Sequence, residues 1–79
     1  MSDVSDRCRK TIAQLLKVAP ERVTPTAHFV RDLGMESVRF VELLAALEEE
    51  FDVEIDEDEA QSNDTVGKAV AYIEKLIGQ

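Results

Sequence analysis

The chain has 79 residues, 33% of them charged and 44% hydrophobic, and a formal net charge of −8 at pH 7. One domain, residues 1–79, is the default at that length. Roughly 60–65% of the unfolded chain's surface can be buried, too little for an active site walled on all sides, so a carrier, adaptor or binding module is expected rather than an enzyme.

The charge is unevenly spread. Residues 1–39 carry seven Lys/Arg and five Asp/Glu, whereas residues 40–79 carry two and twelve, with no cation between Arg39 and Lys68. Such a surface repels phosphates and argues against nucleic acid, but it attracts and steers a partner that bears a basic patch. A single cysteine, Cys8, permits no internal disulfide and suits a reducing compartment such as the cytoplasm. The stretch "MSDVSDRCRK" has no apolar core and is not expected to be a secretory signal. No apolar run approaches the roughly 20 residues that span a bilayer, so no membrane span is expected.

In chain order, Val4, Cys8, Thr11, Ile12 and Leu15 recur at three- and four-residue steps and predict a helix over about residues 3–17. Pro20 and Pro25 break any continuation. A long connection follows, with a turn at Pro20–Arg22 and with Val18, Val23, Phe29, Val30 and Leu33 placed to pin it to a core. The next helix is predicted over Ser37–Phe51, its core face formed by Phe40, Leu43, Leu44, Leu47 and Phe51. Val38, Val41 and Ala45 form a smaller apolar strip flanked by Glu42, Glu48 and Glu49.

Val53 and Ile55 alternate, but no second strand exists to pair with them, so a loop is expected. Asp56-Glu57-Asp58-Glu59 reads as a variant capping box, Asp56 capping and Glu59 reaching back, with a short helix over about residues 57–61. This acidic cluster lacks the alternating ligands and central glycine of a calcium loop, so no metal site is expected. Asp64 or Thr65 caps a last helix with Val66, Val70, Ile73 and Ile77 inward, stopped by Gly78. The fold class is therefore all-α: a small four-helix bundle of three main helices and one short third helix, with a long first loop.

Ser37 stands at the mouth of the second helix, after "DLGME". A serine needs an adjacent base to attack anything by itself. The only histidine, His28, is nine positions away in the connection and reads as a solvated loop residue. Cys8 lies on a core face, and Tyr72 offers no better constellation. Free N–H groups and the helix dipole do favour an anion at this place. Gly34 permits a left-handed turn that would present the serine to an outside enzyme. The position suits a serine that is modified, although an ordinary capping serine would occupy it equally well.

"DLGMES", followed by "VRFVELLAALEEEFDVEI", resembles the acyl carrier protein family, whose pattern is Asp-Leu-Gly-x-Asp-Ser-Leu and then an amphipathic helix ending in Leu-Glu-x-x-Phe. The resemblance extends through "FVRDLG", the short acidic helix and "TVGKAVAYIEKL", nearly the whole chain. It implies that Ser37, within the motif of Asp32, Leu33, Gly34 and Glu36, takes a 4′-phosphopantetheine arm from coenzyme A. The arm would be added by a separate, magnesium-using phosphopantetheinyl transferase. Its thiol would hold acyl groups as thioesters for ligase, synthase or acyltransferase enzymes with basic docking patches, and the carrier is expected to be a monomer.

Under the same resemblance, Met35, Val38, Arg39, Val41, Glu42, Ala45, Glu48 and Glu49 would meet partners. Phe29, Phe40, Leu43, Leu47, Ile55, Ala60 and Asn63 would line an acyl pocket. The chain departs from the family pattern at five places. Glu36 replaces aspartate, Val38 replaces leucine, and Arg39 stands where an acid is common. Phe40 stands where a small residue is common, and Asn63 where an aliphatic one is. Phe40 and Asn63 point to a reshaped pocket, and together with Arg39 to a specialised lipid or secondary-metabolite pathway. Two alternatives stay open: an aminoacyl or peptidyl carrier, and an unmodified acidic interaction module whose docking strip is Val38, Val41 and Ala45.

Overall fold

The computed structural model describes residues 3–78. Within them α1 spans Asp3–Leu16, a 3-10 turn spans Pro20–Arg22, α2 spans Ser37–Phe51, α3 spans Glu57–Gln61 and α4 spans Val66–Leu76. No strand forms among the described residues; His28 and Thr65 make a lone antiparallel bridge. No helix among them is long and apolar enough to cross a membrane.

The apolar periodicities meet in one core. Val4, Cys8 and Ile12 of α1 pack with Leu43, Leu47 and Phe51 of α2 and with Val66, Ala69 and Ile73 of α4. Val23, Ala27, Phe29 and Leu33 complete it from the long connection. No polar side chain is buried among the described residues, so the core holds no charge that would have to be desolvated. Two helices end on a left-handed residue that is not glycine: Lys17 after α1 and Asp52 after α2 adopt φ of 57° and 53°. Each accepts the left-handed strain that glycine would relieve.

Polar clamps fix the elements to one another. Arg7 of α1 donates from Nε to the Glu50 carboxylate at 2.8 Å and from Nη2 to the Glu50 carbonyl at 2.6 Å. Its guanidinium lies 4.5 Å from the centroid of the Phe51 ring, so one side chain neutralises the carbonyl end of α2 and stacks on its last core residue. The long connection is held against the start of α4 by three backbone bonds. Phe29 donates to the Asp64 carbonyl at 3.0 Å, Val66 to the Ala27 carbonyl at 3.0 Å, and Gly67 to the Pro25 carbonyl at 2.8 Å. A Cβ at Gly67 would stand 2.9 Å from the Pro25 oxygen, so this position needs glycine for space.

Three details of the sequence reading are corrected. Val30 does not pin the connection to the core: it is 57% exposed, and Val23, Ala27, Phe29 and Leu33 make that contact instead. The capping box of α3 is relayed rather than closed. Asp56 Oδ1 accepts from the Glu59 N–H at 3.2 Å, but Glu59 does not reach the Asp56 N–H. The Tyr72 hydroxyl lies between them, accepting from Asp56 N at 3.3 Å and donating to Glu59 Oε1 at 2.9 Å. The phenol of α4 thereby ties down both ends of the cap. His28 is not a solvated loop residue: its side chain is 21% exposed, and its Nδ1 accepts from the backbone N–H groups of Val30 and Arg31 at 3.2 and 3.1 Å.

Candidate functional site

Residues 28–35 curl into a compact turn that delivers the chain to α2. His28 C=O accepts from Asp32 N at 2.8 Å and from Leu33 N at 3.1 Å, and Asp32 Oδ2 accepts from His28 N at 2.7 Å. Gly34, at φ 66°, turns the chain back so that Met35 N reaches the Phe29 carbonyl at 2.9 Å. Asp32 and Gly34 therefore shape the turn, and Leu33 anchors it in the core.

Ser37 is the first residue of α2 and is exposed. Its hydroxyl has no hydrogen-bond partner among the described residues. Glu36 occupies the N-cap, and its side chain makes no capping bond. By contrast, Asp56 caps α3, and Thr65 Oγ1 caps α4 by accepting from Lys68 N. The Arg39 N–H donates to the Glu36 carbonyl at 2.9 Å, and the N–H groups before it, with no side-chain cap, are left to an outside acceptor in the field of the helix dipole.

His28 shares a cavity with Ser37 but is not its base. Nδ1 is committed to two backbone donors, so the ring proton sits on Nε2, which faces Asp64 Oδ2 at 3.6 Å. The Asp64 carboxyl is held below its ordinary range, chiefly by the hydrogen bond that Lys68 donates to it. The site can present a hydroxyl, but it cannot activate one.

Two cavities lie beside it. An inner one, with a volume of about 30 Å³, lies between α2, α3, α4 and the connections that join them. All seven residues expected to form an acyl pocket (Phe29, Phe40, Leu43, Leu47, Ile55, Ala60 and Asn63) line it. Met35, Leu44, Ala69, Tyr72 and Ile73 line it too. Ile73 was expected on the inward line of α4, whereas Tyr72, one position before it, carried no separate signal. Burial and the Glu59 carboxylate raise the Tyr72 phenol above its ordinary pKa, so it serves as a neutral hydroxyl.

The outer cavity is open, about 380 Å³ in volume, and reaches Ser37 and Glu36. Phe29, Met35, Phe40 and Asn63 line both spaces and form the partition between them.

The residues expected to meet partners separate into two groups. Val38 and Val41 are 68% and 57% exposed, and Glu42, Ala45 and Glu49 share that open face. Arg39 donates to Glu42 at 2.9 Å, so its charge is balanced within the helix. Glu48 has a structural use, accepting from the Ile55 N–H at 2.8 Å, and Met35 turns into the cavities. No group of three His, Cys, Asp or Glu residues among those described could hold a metal ion.

Comparison with known proteins agrees with this arrangement. Residues 6–73 match the family model described as "Phosphopantetheine attachment site". The chain is 49% identical over 78 residues to an acyl carrier protein of Phenylobacterium zucineum (strain HLK1), covering 99% of each chain. It is 49% identical over 73 residues to an acyl carrier protein of Caulobacter vibrioides (strain NA1000 / CB15N), covering 92% of this chain and 94% of that one. An all-α bundle with these matches over nearly its whole length belongs to the acyl carrier protein family, and it is a phosphopantetheine-bearing carrier of acyl groups rather than a catalyst.

Proposed function

We propose that Ser37 is the residue to which the 4′-phosphopantetheine group is attached, and that residues 1–79 are a single, monomeric carrier domain working in the cytoplasm. The observation that carries this reading is an exposed, unpartnered hydroxyl on the first residue of α2, whose N-cap, unlike those of α3 and α4, makes no side-chain capping bond, beside an open cavity lined largely by apolar groups. The residues fit the group. A phosphodiester on Ser37 Oγ lies in the favourable field of the α2 N-terminus, and the outer cavity offers the arm and its cargo a surface away from water. When bound, the group supplies a thiol that holds an acyl chain as a thioester.

The protein's own residues then have three tasks. Ser37 holds the tether, Val38, Val41 and Ala45 offer apolar contact, and Glu42 and Glu49 attract basic patches on the enzymes that load, modify or unload the cargo. Those partners are a separate phosphopantetheinyl transferase and acyl ligases, synthases or acyltransferases. Docking through exposed charges is weak, fast and sensitive to salt. Arg39, Phe40 and Asn63 favour a specialised lipid or secondary-metabolite pathway, because they alter the docking face and the cavity wall together.

The test is direct. The protein is incubated with coenzyme A, magnesium and a broad-specificity transferase, and its intact mass is measured. The expected result is a gain of one phosphopantetheinyl group in the wild type and none in Ser37→Ala. An unmodified wild type, or a modified Ser37→Ala, overturns the assignment.

A further inference from the structure

Asn63 is out of keeping with its surroundings. It stands in the partition between the two cavities, with Phe29, Met35 and Phe40. Its backbone N–H donates to the Ala60 carbonyl at 2.9 Å. Its carboxamide has no hydrogen-bond partner among the described residues. The residue is half-buried, so water from the mouth serves that amide while the cavity is empty. A purely hydrocarbon chain drawn past it would displace the water and leave two donors and an acceptor facing apolar groups, a costly arrangement. The inner cavity beyond it holds about 30 Å³, about two water-sized spheres, which is room for the end of a short chain.

We propose that Asn63 is a specificity-determining residue that favours short 3-hydroxyacyl cargo, binding the hydroxyl at the partition while the chain terminus fills the inner cavity. The inference rests on the reading of Ser37 as the attachment residue. A chain enters tail first from the mouth, so the carbons that rest at the partition are those next to the thioester. A hydroxyl both donates and accepts, and can satisfy the amide's C=O and NH₂ alike, whereas a ketone can only accept. Phe40 shortens the space by standing between the cavities, so that a short chain places its third carbon beside Asn63.

The experiment compares butyryl and 3-hydroxybutyryl forms of the holo protein, each loaded from its coenzyme A thioester and verified by intact mass. Two readouts are taken: the rate of thioester cleavage by hydroxylamine, relative to the free coenzyme A thioester, and the NMR shifts of the Asn63 carboxamide. The 3-hydroxybutyryl thioester is expected to be protected about fivefold to tenfold more than butyryl, the worth of one good hydrogen bond. The Asn63 NH₂ signals should move with the hydroxylated cargo only. In Asn63→Leu, checked for folding by circular dichroism, the two cargoes should be protected alike.

Equal protection of the two cargoes in the wild type, or equal shifts of the Asn63 amide, overturns the proposal. That comparison decides the matter even if Asn63→Leu does not fold. A wild-type protein that cannot be loaded would instead remove the assignment of Ser37, and the mass measurement separates the two failures.

Discussion

Replacing Gly67 by alanine sets two effects against each other, and the structure says which wins. Helix propensity favours the change by up to about 0.8–1 kcal/mol, and by less this close to the start of α4. The new methyl, however, would sit 2.9 Å from the Pro25 carbonyl oxygen, about half an ångström short of ordinary contact. That oxygen is main chain and already accepts from the Gly67 N–H at 2.8 Å, so it cannot step aside without stretching its own bond. Overpacking of this kind costs about 1–3 kcal/mol, and the weakened hydrogen bond adds a further ~1 kcal/mol at most.

The net expectation is a loss of about 1–2 kcal/mol, which lowers the melting temperature by at least about 4–8 °C in a domain of this size. Thermal unfolding followed by circular dichroism measures it. The amide shifts of residues 26–29 should move in the same variant, because the displaced connection carries Phe29 into both cavities. A variant that melts higher than the wild type, as propensity alone would have it, refutes the close-approach argument.

Substitutions at two other positions test the clamp and the core. Arg7→Ala removes the bond to the Glu50 carbonyl, the pair with its carboxylate and the stacking on Phe51. The partly exposed setting holds the combined loss to about 2 kcal/mol, and Arg7→Lys should recover less than half of it in denaturant unfolding, because an ammonium cannot fork. Burial pushes the Cys8 thiol from its ordinary value near 9 up to about 12. The folded state thus favours the neutral thiol; this contribution is fully present below about pH 9 and is lost as pH climbs toward about 12. The stability advantage of the wild type over Cys8→Ala should shrink across that window, and iodoacetamide should label the native protein far more slowly than the denatured one.

Local chemistry made much of this molecule readable from its letters. Pro20 and Pro25 mark where α1 cannot continue, and the three- and four-residue steps of Leu43, Leu47 and Phe51 fix the inner face of α2. Asp56 and the pair Asp64-Thr65 announce the starts of α3 and α4, because a cap acts on its own next turn, and the structure gives the second cap to Thr65. The seven residues expected around an acyl pocket came from likeness to a family, and they do line one cavity.

What stayed hidden depends on groups far apart in sequence. The Tyr72 hydroxyl reaches Glu59 and Asp56 across 13 and 16 positions, Gly67 meets Pro25, and Arg7 crosses 43 positions to Glu50. No periodicity within a helix encodes such meetings. Lys17 and Asp52 end their helices in a left-handed conformation that glycine usually signals, so the form of those stops carried no mark, although their places were readable. His28 looked solvated because its partners are main-chain N–H groups, which no side-chain pattern displays.

The seclusion of Cys8 has a chemical consequence for a molecule that transports thioesters. An accessible thiolate anywhere on the protein would compete for the cargo by transthioesterification and would trap the arm's sulfur as a mixed disulfide. With its one cysteine sulfur at 0% exposure, the protein leaves the tethered thiol as the sole reactive sulfhydryl in the folded carrier. The carrier's own cysteine therefore does not draw cargo off the tether.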